Sequence, residues 1–208
     1  MSVHTMEFVF ISNDESDTDR FGAALAHVLP PGAVIALVGT LGAGKTRLVQ
    51  AVAKAVGIDP RDVVSPTFVL VHEYPRRVQG SGFRVQGLET DEGFAVRQLS
   101  AVYHFDAYRI KDDDEFRELG PEEYFESDGW TFVEWADRVA DCLPSEYMRI
   151  EIEVIGPTQR RLTATAIGDR FAKPIDELRL SFPGSAWERT ERQAPPAGTS
   201  REAEPSGQ

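Results

Sequence analysis

Residues 6–11 (MEFVFI) form a short, β-branched and aromatic run that predicts a first strand. Behind it, Ser12 and Glu15 stand three positions apart, the spacing of a capping box that opens a helix. Phe21, Leu25, Val28 and Leu29 then recur at helical intervals until Pro30-Pro31-Gly32 stops the run. VIALV (Val34–Val38) is apolar at every position, and a strand without alternation is covered on both faces, as in a parallel sheet. A glycine-rich stretch follows over residues 39–44. Leu48, Val49, Val52 and Val56 then mark a helix that stops at Gly57. Strand, glycine loop and helix in this order make the first half of a βαβ unit.

Further along, residues 68–72 predict a strand, and 76–99 show weak periodicity, four glycines and mixed charge, the pattern of an inserted hairpin or loop. AVYHFD (101–106) and TFVE (131–134) are strands that each end in a carboxylate. Short helices are expected over 112–119 and 121–125, and residues 148–155 and 162–167 are suited to pair as a terminal hairpin. From residue 183 the chain is rich in Pro, Gly, Ser and charge, which cannot bury enough apolar surface to offset its ordering entropy. The expected organisation is therefore one α/β domain over residues 1–182, with an insert at 76–99 and a disordered tail at 183–208. A length of 208 residues leaves little room for two full domains.

The formal net charge of −12 argues against a protein that grips nucleic acid by itself, because phosphate contacts need a cationic face. Cys142 is the one cysteine, so an internal disulfide is excluded. No stretch approaches ~18 apolar residues, and the first residues lack a basic segment before a long apolar core. A cytoplasmic location is expected.

The chemistry concentrates in GTLGAGKT, residues 39–46, which match G-x-x-x-x-G-K-[ST]. Gly39, Gly42 and Gly44 let the backbone wrap a phosphate without Cβ clashes, and the following helix turns its positive end to the same anion. Thr40 and Leu41 contribute mainly backbone. Lys45, expected on a solvent-facing loop, can bridge β- and γ-phosphate oxygens, and the Thr46 hydroxyl suits Mg²⁺. The plainer alternative is a glycine-rich turn with an incidental lysine. A nucleotide site also needs an acid for the metal, and Asp106 and Glu134 both stand at strand ends where ligands gather in open α/β sheets. Either is otherwise a solvated acid at a strand–loop junction.

In Ser65-Pro66-Thr67 a mobile loop can carry the Thr67 hydroxyl to a γ-phosphate, as switch segments do, or Pro66 simply sets a turn. His104 reads as a hydrogen-bonded core histidine and Trp135 as a packing residue. Arg109 either meets phosphate or pairs with the acidic run 112–115. Cys142 has no activating neighbour and reads as an inert thiol. Asn13 is the only asparagine, which removes the guanine-reading Asn-Lys-x-Asp element, and no His/Cys cluster suggests zinc.

Taken together, GTLGAGKT, SPTFVLVHEY (65–74), YHFDAYRI (103–110) and FVEWADR (132–138) resemble the bacterial TsaE family over roughly residues 7–168. The resemblance implies a P-loop NTPase-like three-layer fold whose mostly parallel sheet is extended by antiparallel strands. It implies that Leu41, Gly42, Ala43, Gly44, Lys45 and Thr46 cradle the phosphates of ATP. It makes Thr46 and Glu134 ligands of Mg²⁺ and puts Asp106 in the acid position that supports metal and hydrolysis. Ser65 and Thr67 fall in the switch-like loop, and Trp135 in the cluster beside Glu134. The implied function is an ATPase, weak alone, that serves threonylcarbamoyladenosine formation in tRNA with TsaD and TsaB, tRNA being met through those partners. Base contacts are expected near Asp14-Glu15 and over residues 158–161. The stretch 76–99 is longer than the family's usual hairpin there, and the tail is extra. Outside this family, the residues also allow a P-loop small-molecule kinase with an acceptor pocket built by the insert, or a non-catalytic ATP-dependent adaptor.

Overall fold

Side chains alternate across the first strand, β1 (Glu7–Ser12), so that Phe8, Phe10 and Ser12 turn inward. In the computed structural model, which describes residues 6–76 and 99–183, helix α1 (Glu15–Val28) follows directly. Its cap is Asp14, whose side chain accepts from the Asp17 amide; the expected Ser12–Glu15 box does not form. Ser12 closes β1 instead, fully buried, with its hydroxyl bonded to the Asp14 carbonyl and the Thr18 hydroxyl.

β2 (Val34–Val38) leads through the glycine loop into α2 (Lys45–Ala55). β3 (Val71–Pro75) starts three residues later than the pattern suggested. Pro66 turns the chain back, its carbonyl accepting from the amides of Val69 and Leu70, so Phe68 stands 82% exposed in a loop rather than in a strand. β4 (Ala101–Asp106), α3 (Asp113–Arg117), α4 (Pro121–Phe125) and β5 (Trp130–Glu134) come next, then the paired β6 (Tyr147–Val154) and β7 (Arg160–Ile167). Residues 77–98 and 184–208, which hold nearly all of the expected insert and tail, lie outside the described residues. The ends that flank the first of these meet, the Arg76 amide donating to the Ser100 carbonyl at 3.0 Å.

The seven strands form one sheet in the order β1-β7-β6-β2-β5-β4-β3. β6, β2, β5 and β4 are mutually parallel, while β7, β1 and β3 join antiparallel. The β6–β7 hairpin pairs as expected, but β1 covers its outer edge. Helices cover both faces, which explains the unbroken apolar run of β2. On one face Ile35 and Leu37 pack with Phe21 and Leu25 of α1 and with Leu48 and Val52 of α2. On the other, Ala36 packs with Phe105, Phe116 and Val139.

A fifth helix, α5 (Ala172–Ser181), has no counterpart in the elements expected from sequence. Phe171, Ile175, Leu178 and Phe182 face the first core, and the Phe182 ring lies 4.6 Å from that of Phe10, centre to centre. Among the described residues no helix is long and apolar enough to cross a membrane.

Candidate functional site

Parallel β2, β4 and β5 deliver the glycine loop, Asp106 and Glu134 to the same end of the sheet; Asp106 and Glu134 are register partners. The loop is held by close packing. Gly39 has φ +153°, and a Cβ there would lie 2.5 Å from the Ile152 carbonyl oxygen. Ala43 donates its amide to the Thr40 carbonyl, and its own carbonyl accepts Nε of Arg160 from β7 at 2.9 Å. Gly44, at φ +109°, turns the chain into α2, whose first amides lack intrahelical acceptors.

Lys45 opens α2 and is only 4% exposed, so the solvent-facing placement expected from sequence is wrong. Its Nζ donates to the carbonyls of Gly39 (2.7 Å) and Thr40 (3.0 Å) and lies 3.7 Å from the centre of the Trp135 ring. Trp135 has φ +58°, a left-handed conformation that turns the chain sharply after Glu134. Burial pushes the Lys45 ammonium below its ordinary pKa, while the carboxylates of Glu134, Asp106 and Asp137 pull the other way.

The two acids occupy separate clusters. Glu134 Oε1 accepts from the Thr46 hydroxyl at 2.7 Å and from His104 Nε2 at 2.8 Å, while Oε2 accepts no bond among the described residues. Asp106 holds the segment before β3. Its Oδ2 accepts from Ser65 (2.5 Å) and Thr67 (2.7 Å), its Oδ1 from the Tyr108 amide, and its own amide donates to the Leu70 carbonyl. The same segment is tied down by Gln50, which donates to the Val63 carbonyl, and by the Tyr74 hydroxyl against Val64.

His104 is therefore part of the site, where sequence reasoning placed an ordinary core histidine. The signal was available: position 104 lies two residues before Asp106, and the two-residue period of a strand puts both side chains on one face. Among the described residues Arg109 forms no ion pair with the acidic run 112–115, its guanidinium resting 4.4 Å from the Phe68 ring centre. Asp112 of the acidic run caps α3, and Arg117 pairs with Asp113 and Asp114. Trp135 covers Lys45 in addition to packing beside Tyr108. The Cys142 thiol is pushed up by burial and by nearby Asp113, consistent with an inert group.

A cavity of about 580 Å³ opens beside the loop, lined by Gly42–Gly44 together with Asp14, Glu15, Thr158, Arg160 and Ile152. The two segments expected to contact a base thus share one wall system with the glycine loop. Lys45, Asp106 and Glu134 do not line it. Around the same end of the sheet stand the exposed apolar side chains Leu41, Val64, Phe68, Val69 and Tyr108.

Fold and site together define a mixed α/β protein with a seven-stranded sheet, mostly parallel in its core, in which a glycine loop and a lysine–threonine helix start stand beside two strand-end carboxylates. The family model "Threonylcarbamoyl adenosine biosynthesis protein TsaE" matches residues 12–162, and the chain belongs to the TsaE family, whose role lies in tRNA threonylcarbamoyladenosine biosynthesis. It is 35% identical over 162 residues to the tRNA threonylcarbamoyladenosine biosynthesis protein TsaE of Bacillus subtilis, covering 78% of this chain and 87% of that one. The corresponding protein of Synechocystis is 37% identical over 150 residues, 70% of this chain and 79% of the relative. The crystal structure of Bacillus subtilis YdiB superposes with a TM-score of 0.65 at 30% identity, over 85% of this chain and 96% of that one.

Proposed function

We propose that this protein is a Mg²⁺-dependent ATPase that supports threonylcarbamoyladenosine modification of tRNA by acting on a TsaD–TsaB-type complex. The observation that carries the reading is the meeting of the Thr46 hydroxyl with the Glu134 carboxylate, 2.7 Å apart, at the foot of the glycine loop and next to Lys45. These are hard oxygen donors of the kind Mg²⁺ takes, and such sites use one or two protein oxygens and complete the shell with phosphate oxygens and water. That economy agrees with the finding that, among the described residues, no three His, Cys, Asp or Glu side chains form a metal cage. When bound, the ion would neutralise charge on the transferring phosphoryl group.

The residues of this chain divide the remaining work. Amides of residues 42–46 and the α2 N-terminus would hold the phosphates, and Lys45 would leave its carbonyl partners to meet them. Thr46 and Glu134 would offer their oxygens to the ion, the Thr46 hydroxyl using a lone pair while its hydrogen can stay on Glu134. Asp106 keeps Ser65 and Thr67 within reach of the same end of the sheet, so that the Thr67 hydroxyl can turn to the terminal phosphate. The 580 Å³ cavity offers room for a nucleoside next to the loop.

Partner docking is supported by the exposed apolar group at positions 41, 64, 68, 69 and 108, beside the site and on a chain of net charge −12. An acidic surface suits protein partners better than direct tRNA contact. The test is a pull-down of TsaD and TsaB with and without ATP, followed by phosphate release from whatever assembles. Nucleotide-dependent assembly with release of phosphate is expected. No ATP uptake by calorimetry, alone or with the partners, would overturn the reading.

A further inference from the structure

His104 is a costly residue for its position. It lies within the central part of β4, fully buried, and its Nδ1 has no hydrogen-bond partner among the described residues. An apolar side chain of similar size would fill the same space without leaving a buried polar atom unpaired. What the imidazole supplies is its other nitrogen. Nε2 lies 2.8 Å from Glu134 Oε1, the oxygen that also takes the Thr46 hydroxyl. A carboxylate only accepts, so Nε2 carries the hydrogen of this bond.

Strand geometry explains why this residue reaches that oxygen. β4 and β5 are parallel, with His104 opposite Phe132 and Asp106 opposite Glu134. His104, Phe132, Asp106 and Glu134 thus share the sheet face that packs on α2, and His104 meets Glu134 along the diagonal. Two donors converge on Oε1 from different elements, the hydroxyl from α2 and the ring from β4. Among the described residues Oε2 is left without a hydrogen bond.

Building on the magnesium reading proposed above, we propose that His104 is a positioning residue for Glu134: its Nε2–H pins Oε1 and so presents Oε2 to the metal when nucleotide binds. The Thr46 hydroxyl would have to serve the ion with its oxygen while its hydrogen stays on Glu134, whereas the His104 Nε2–H serves Glu134 alone, from a fixed place in β4. The arrangement is the familiar one in which a partner behind a metal ligand fixes the ligand's orientation, and loss of such a partner typically costs about 10–100-fold in metal affinity.

The test compares the wild-type chain with His104→Gln, His104→Asn and His104→Phe. The Gln amide nitrogen can reach the place of Nε2, the Asn amide falls short of it, and Phe keeps the volume without any donor. ATP binding is titrated with and without Mg²⁺, and far-UV circular dichroism and melting follow the fold. The expected result is that Phe and Asn weaken Mg²⁺ dependence by about 10–100-fold, leave metal-free ATP binding unchanged, and that Gln restores most of the loss. Nitrogen-15 NMR of the wild-type imidazole should show the hydrogen on Nε2, with a shift change in Glu134→Gln. Wild-type Mg²⁺ dependence that survives unaltered in a folded His104→Phe would overturn the role of His104 and leave the ATPase reading standing. Absence of Mg²⁺ dependence in the wild type would sink both. If all three variants fail to fold, NMR decides: hydrogen on Nδ1, or a ring signal indifferent to Glu134→Gln, counts against the proposal.

Discussion

The ammonium of Lys45 lies 3.7 Å from the centre of the Trp135 ring, closed in by the indole on one side and by the carbonyls of Gly39 and Thr40 on the other. The glycine loop in this state satisfies its own lysine. A cation kept below its ordinary pKa by burial is tolerated for what it does rather than for stability.

Lys45→Met should abolish nucleotide-dependent phosphate release by the assembled complex while the chain still folds. The pH dependence carries a sign. Because the folded pKa of Lys45 lies below its unfolded value of 10.5, the unfolded chain binds more protons in the window beneath 10.5, and wild-type stability gains as pH rises through it. The melting temperature of the variant minus that of the wild type should therefore fall as pH is raised toward 10.5, checked by calorimetric scans. A difference that grows with pH would contradict the placement of Lys45.

Glu134→Gln should weaken Mg²⁺ dependence far more than metal-free nucleotide binding, because it removes charge from the oxygen pair beside Thr46. An unaltered Mg²⁺ titration would move the ligand role to Asp106.

Asp106→Ala should free the 63–70 segment. It strips two hydroxyls of their shared acceptor, and hydrogen bonds to a charged group are worth about 1.5–3 kcal/mol each before compensation by water. Faster amide exchange over residues 65–70, retained ATP binding and lost phosphate release are expected. Protection unchanged from the wild type would mean that Gln50 and Tyr74 suffice to hold the segment.

Phe182→Ala should destabilise by about 3 kcal/mol, since the ring is buried against Phe8, Phe10 and Phe21. For a chain of this size that corresponds to a fall in melting temperature of about 6–12 °C. A fall under about 2 °C would show that α5 packs too loosely to matter.

Phe68→Glu should change melting by less than about 0.5 kcal/mol, because the ring touches little besides Arg109. It should nonetheless impair capture by TsaD and TsaB in the pull-down. Undiminished capture would remove this residue from the docking surface.

Local signals carried most of the fold. VIALV, the loop GTLGAGKT and the two strands ending at Asp106 and Glu134 are short-range patterns, and each element formed where its residues indicated. What escaped depended on distant partners. The start of β3 was misjudged because Thr67 is held by Asp106, 39 positions away, which turns apolar Phe68 out of the sheet. The α1 cap was misplaced because Ser12 is drawn inward as the end of β1. α5 did carry a helical pattern in Phe171, Ile175, Leu178 and Phe182, masked by Pro174 and the polar residues around it. The loop and its acids were visible as motif members, whereas the His104–Glu134 bond required knowing that β4 and β5 are neighbours.

The meeting of Arg76 and Ser100 bears on engineering. The backbone is bridged at that point, and the β3–β4 register directly behind it is fixed by pairs between described residues. This makes the junction a natural place to graft a fluorescent reporter or an affinity handle, on the strand pair that leads to Asp106 and at the opposite end of it from the glycine loop.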